Sequence, residues 1–250
     1  MTHPCLPRVE DSRGWREEAP FPTGKRDEGR AVALDGKIYI AGGTTKLIES
    51  GKPSPVEGVR ELVRARSVDE MLEFDPATRR YRQLAPMPER LNHMAIVAHG
   101  GLIYVIGGMG DLLFGADPRD SVFVYDPKTN RWSTRAPMPT PRGAAATGVI
   151  GDTVYVAGGM GLNGRILHEL EALDLRTGKW RRRASMPTAR EHLAGAALDG
   201  RFYAFGGRTL TSDAIDVAER YAPATKRWEA IEPLPQRSAS FGPPRSTAPS

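Results

Sequence analysis

An all-β chain of small repeated sheets is the fold class that this 250-residue sequence predicts, on three observations. An aromatic residue leads into a glycine pair four times: Tyr39 before Gly42-Gly43, Tyr104 before Gly107-Gly108, Tyr155 before Gly158-Gly159, and Tyr203 before Gly206-Gly207. Between these pairs a ring recurs at Tyr81, Trp132, Trp180 and Trp228, each six residues after a slot holding Asp75, Asp126, Asp174 or Ala222. The last three rings are 48 residues apart and the first interval is 51. Such a period marks an architecture in which each unit buries its apolar face on the next.

Each element of one copy has a local cause. Ala31-Val32-Ala33-Leu34, Asp35-Gly36 and Lys37-Ile38-Tyr39-Ile40-Ala41 read as two strands around a tight hairpin, because Asp-Gly tolerates the positive φ of two-residue hairpin turns. Asp199-Gly200 repeats the device, and Gly100-Gly101 and Gly151-Asp152 vary it. A third strand ends at the aspartate slot, most clearly over Ser121 to Tyr125. An Asp-Pro-x-Thr turn follows, in which the carboxylate can accept hydrogen bonds from the backbone just ahead. The fourth strand carries the ring. A proline-rich hinge such as Pro86-Met87-Pro88 or Pro137-Met138-Pro139 then ends pairing, since proline lacks the ladder donor. From ring to next glycine pair the distance is 26 residues for Tyr81, Trp132 and Trp180, and 27 for Trp15, so the pattern starts before the first full copy.

Four strands in about 48 residues make a propeller blade. The glycine pair, the downstream tryptophan and the Asp-Pro-x-Thr turn together resemble kelch repeats over about residues 15 to 236. The resemblance implies a β-propeller, commonly of six or seven blades. The expected organisation is an N-terminal arm (1–14) and a tail (237–250), both disordered, around four complete blades at about 24–88, 89–139, 140–187 and 188–235. Trp15 marks an orphan N-terminal strand, so the ring is expected to be incomplete or open. A truncated longer propeller is the favoured explanation, beside an open arc and a pair of arcs self-associating through open blade edges. Tryptophans and glycine pairs are read as packing devices.

Bulk composition excludes several classes. The 35 Lys and Arg against 30 Asp and Glu give a net charge of +5 with no basic run, so no nucleic-acid partner is expected. No apolar run approaches membrane-spanning length. Cys5 is the only cysteine, which excludes an intrachain disulfide and a cysteine-built metal site. The N-terminus lacks an apolar signal core, so a cytoplasmic location is expected. No cofactor is expected.

Candidate functional residues fall on one face. In an up-and-down blade, the link between blades shares a side with the connection from second to third strand. Arg26, Arg90, Arg142 and Arg190 lie in those links and are expected near one mouth of the central channel, as a guanidinium ring for carboxylate or phosphate or as internal donors to blade carbonyls. The same face carries an insertion at about 44–67, with room for one or two helical turns, and a smaller bulge bearing Leu112, Leu113 and Phe114 as partner contacts. His93 and His192 follow their arginines and are candidate ligand contacts; His168 lies on the same side. Their slots relative to the arginines differ, and Glu191 is the one carboxylate at hand, so no metal centre is expected.

No nucleophile–base arrangement or phosphate loop is visible. A non-catalytic binding module for a protein or an anionic ligand is the leading reading. The alternative, implied by the resemblance, is a carbohydrate-handling propeller such as a sialic-acid mutarotase. The copper-oxidase branch requires a Cys–Tyr crosslink on the scaffold, and Cys5 lies outside every repeat.

Overall fold

The computed structural model describes residues 18, 20–24, 26–47, 64–111 and 117–239. Trp15, Cys5, most of the insertion and the segment holding Leu112, Leu113 and Phe114 lie outside the described residues. Four antiparallel four-stranded sheets are present, each built in chain order apart from the insertion. Blade one comprises β1 (Arg30–Leu34), β2 (Lys37–Ala41), β5 (Met71–Asp75) and β6 (Arg80–Gln83), interrupted by a ribbon of β3 (Thr44–Leu47) and β4 (Arg64–Ser67). Blade two is β7 (Ala95–His99), β8 (Leu102–Ile106), β9 (Val122–Asp126) and β10 (Arg131–Thr134). Blade three is β11 (Ala146–Ile150), β12 (Thr153–Ala157), β13 (Leu170–Asp174) and β14 (Lys179–Arg183). Blade four is β15 (Ala194–Leu198), β16 (Arg201–Phe205), β17 (Ala218–Ala222) and β18 (Arg227–Ala230). The described ends of the insertion form a strand pair, Thr44 with Ser67 and Leu47 with Arg64, and the room for helical turns lies in 48–63, outside the described residues. At the chain's far end Ser238 still belongs to the propeller, because its carbonyl accepts from Gly207 and its amide donates to Ile215.

First strands gather at the axis, β1 against β7, β7 against β11 and β11 against β15. Close approach explains their small residues: a Cβ on Gly195 would lie 2.5 Å from the Thr147 amide. Between sheets the packing alternates. The face of one blade carrying Tyr104 and Ile106, or Tyr155 and Ala157, meets the next blade's Val154 and Val156, or Phe202 and Ala204, and all are buried. At the two ends this rule has no partner among the described residues. Ile38 and Ile40 on blade one, and Tyr203 and Phe205 on blade four, hold the same positions and stay half-buried. The four described blades form an open arc.

The repeat signature clamps neighbours together. Indole Nε1 of Trp132, Trp180 and Trp228 donates to the carbonyls of Ala85, Ala136 and Ala184 in the preceding blade, at 2.9, 3.1 and 2.8 Å. In blade one Tyr81 has no such donor and packs instead on Phe74 and Phe21. Both residues of each glycine pair have positive φ. In Gly158-Gly159 the second amide donates to the Arg190 carbonyl of the next link at 2.9 Å, and a Cβ on Gly158 would sit 2.6 Å from that same oxygen. Only glycine satisfies both demands.

Candidate functional site

Links and second-to-third-strand loops meet on one face, through bridges Asp27–Thr44, Asn92–Met109, Gly143–Met160 and Glu191–Arg208. The arginines of the links are on this side, but three are turned into their own blades. Arg142 is buried; it donates to the carbonyls of Gly158 and Glu169 at 3.0 and 2.8 Å and pairs with Glu171 at 3.0 Å. Arg190 is likewise buried, donating to Ala204 and pairing with Glu219 at 2.5 Å. Arg26 donates to Gly42 and pairs with Glu70. Buried ion pairs persist only with further hydrogen bonds, which Thr140 and Thr188 supply to the two glutamates at 2.7 and 2.8 Å. These donors are spent on blade carbonyls and carboxylates, so they do not form the open guanidinium ring of the first expectation.

Blade two departs from this arrangement. Counted back from the glycine pair, Leu91 occupies the slot of Arg26, Arg142 and Arg190, and Arg90 falls one residue outside it and is exposed. The glutamate slot holds Phe123, because Val105 pairs with Phe123 as Val156 pairs with Glu171. Leu91 and Phe123 share one apolar cluster. An Arg–Glu pair is thus exchanged whole for an apolar pair, which leaves neither charge buried alone.

Two residues beyond the arginine slot comes the ring that sequence reasoning missed. Glu28, His93, Ala144 and His192 each stand 14 residues before the first glycine of their blade's pair, and all four have φ between 52 and 59°. Their backbones are linked around the axis: the His93 amide donates to Glu28, Ala144 to His93 and His192 to Ala144, at 3.2, 2.8 and 2.9 Å. Left-handed backbone at non-glycine residues costs roughly 1–3 kcal/mol each and gathers at functional sites. The slots of His93 and His192 are therefore equivalent, contrary to the expectation drawn from their offsets to the arginines. The usable signal was the distance to the glycine pair.

The structure brings His93 and His192 together from blades two and four. Their Nε2 atoms are 2.9 Å apart and the rings meet edge to face. Glu28 Oε2 lies 3.2 Å from His93 Nε2 and is buried without a hydrogen-bond partner. His168 is exposed and belongs to no part of this cluster. Burial lowers both imidazoles, His93 to about 4 and His192 to about 3, with Arg30 and Arg208 adding repulsion in each case. Both rings are neutral at pH 7. Burial also lowers Arg30 to about 10 and raises the Glu28 carboxyl. One or two residues further along the first strands, Arg30, Ala95, Ala145 and Ala194 line a channel of about 350 Å³, so the cluster stands at its mouth.

Around the mouth rises the second-to-third-strand surface. The β3–β4 ribbon is pinned to the blade-two loop: the Ser67 amide donates to Asp111 at 2.7 Å and its hydroxyl to Gly110 at 3.1 Å. Leu162 of blade three and Leu210 of blade four, on neighbouring loops of this face, are 62% and 85% exposed. Arg90 borders a small hollow with Arg66 and Glu70.

Kelch motifs match residues 90–139, 141–187 and 189–235. The chain belongs to the kelch-repeat family. Blade one falls outside the matched range; its insertion and its Tyr81 depart from the repeat. Mouse Kelch-like protein 35 is 32% identical over 131 residues, 52% of this chain and 19% of that protein. The N-acetylneuraminate epimerase of Yersinia enterocolitica is 25% identical over 181 residues, 59% of this chain and 43% of that one. The chain thus spans less than half the length of these curated relatives. The solved structure of YjhT superposes with a TM-score of 0.73 at 18% identity, covering 90% of this chain and 76% of that one, which supports the fold alone.

Proposed function

We propose that this chain is a kelch binding module whose recognition surface is the face around the channel mouth, and that its partner is a protein. The observation that carries the reading is the pair of exposed leucines, Leu162 and Leu210, raised on adjacent loops of a rigid platform beside the pinned β3–β4 ribbon. Exposed apolar side chains gathered on one face and rimmed by polar residues mark a surface for protein association. Leu112, Leu113 and Phe114 occupy the corresponding loop of blade two by sequence and extend the surface in this reading. The test is capture of partners by the full chain, compared with Leu162→Ser/Leu210→Ser, with Leu112→Ser/Leu113→Ser/Phe114→Ser, and with Leu198→Ser on the opposite face. Loss in the first two with retention in the third supports the reading. A partner set unchanged by the mouth-side variants contradicts it.

A second reading is favoured by Arg30 and Arg208 flanking two neutral imidazoles at the channel mouth. Two guanidinium groups beside a proton-transferring ring suit an acidic sugar, and a relative is named for N-acetylneuraminate. Incubation with sialic acid and with neutral sugars, followed by NMR of anomer exchange, decides it: acceleration abolished by Arg208→Ala supports the reading, and an uncatalysed rate removes it.

A further inference from the structure

The hydrogen bonds around His93 and His192 define what stands between them. Asn92 Nδ2 donates to the Gly110 carbonyl at 3.0 Å and to Ser67 Oγ at 2.7 Å. That fixes the amide, so Asn92 Oδ1 faces His93 Nδ1 as an acceptor, and Nδ1 carries the proton. His192 Nδ1 faces the Glu191 carboxylate, also an acceptor. Both protons are therefore on Nδ1, and both Nε2 atoms present lone pairs to each other across 2.9 Å. Two lone pairs cannot hydrogen-bond. A third lone pair, on the buried Glu28 Oε2, points into the same space at 3.2 Å from His93 Nε2. All three ligand atoms lie within 4.8 Å of one another.

We propose that Glu28, His93 and His192 form a site for a divalent transition-metal ion of the zinc class. Two imidazole nitrogens and one carboxylate oxygen are a recognised donor set for that ion, with a fourth position left open. Bonds of about 2.0–2.1 Å at tetrahedral angles place donor atoms about 3.3 Å apart, close to the 2.9 and 3.2 Å separations present. Asn92 and Glu191 hold the rings from behind, as outer partners of metal-bound histidine do. Blade three contributes only the methyl of Ala144 to this ring of slots, which leaves one quadrant without a donor. Arg30 and Arg208 nearby favour an anion as fourth ligand. The strained left-handed backbone shared by the three ligands aims them at one point.

The full chain is stripped with chelator, then titrated with Zn²⁺ by calorimetry and with Co²⁺ by visible absorption. One ion per chain is expected, with tetrahedral cobalt bands. His93→Ala and His192→Ala should abolish this uptake, and Glu191→Gln should weaken it about 10–100-fold. Should a variant misfold, the wild-type chain gives an independent readout: of its five histidines, two alone should shift their Nε2 resonances on zinc addition, with Nδ1 protonated before and after. No uptake, uptake unaltered in His93→Ala and His192→Ala, or zinc-induced shifts confined to other histidines would overturn the proposal.

Discussion

Arg142 and Arg190 illustrate how a recurrent charged residue can serve structure alone. Each guanidinium is fully enclosed and meets one carboxylate and at least two carbonyls of its own blade. Removing one partner of such a pair strands a buried charge, which costs about 3–5 kcal/mol. Arg142→Leu should therefore lower stability by that amount in denaturant unfolding, whereas Arg142→Leu/Glu171→Phe, which copies Leu91 and Phe123, should recover most of it. Equal losses in the single and double variants would show that the pair does not act as a unit. A second prediction concerns pH. Lys37 and the amides of Ala77 and Thr78 bond the Asp75 carboxylate and lower it to about 2. A lowered carboxyl contributes stability above its unfolded value near 4, and loses that contribution as pH falls through about 2. Thermal midpoints of Asp75→Asn should accordingly fall less than those of the wild type between pH 4 and 2; parallel curves would count against the bond. Arginine positions are legible in the sequence, but their direction is not, because the deciding carboxylates lie 29 to 44 residues further on and carry no motif of their own.

At the scale of the blade, hairpins, aspartate turns and ring positions were all readable, since each depends on neighbours within a few residues. Their spacing marks the tryptophans as packing anchors, and they are also donors: the indole bond reaches back one blade to a carbonyl just before the proline hinge. Trp180→Phe keeps a ring and deletes an exposed bond, so it should cost about 0.5–1.5 kcal/mol, measured by urea unfolding. An unchanged midpoint would make the bond incidental. Tyr81, with no such bond, is the natural comparison. The insertion was legible as a length anomaly in blade one and not as a ribbon, because the pairing of Thr44 with Ser67 spans a segment without a strand pattern. The histidine cluster was hidden for a related reason. Offsets to the nearest arginine put His93 and His192 out of register, and Glu28 sits in an unremarkable polar stretch; only the distance to the glycine pair aligns all three.

At the scale of the whole molecule, the four described blades form an arc with complementary apolar faces at its two ends, Ile38 and Ile40 on one and Tyr203 and Phe205 on the other. Inside the chain the same two kinds of face bury each other at every blade junction. The chain is therefore expected to self-associate head to tail. Light scattering should give a mass above the 27.3 kDa of one chain, falling towards that value for Tyr203→Ser/Phe205→Ser; a wild-type monomer would mean that something else covers these faces. Four sheets fan about one axis and bring slots 99 residues apart to a single mouth. The most direct measurement is a through-space NMR contact between the rings of His93 and His192, whose centroids are 4.8 Å apart. A cross-peak between the two imidazoles is the predicted result. Its absence, with both rings assigned and showing contacts to their own blades, would contradict the convergence on which the binding face and the cation site both depend.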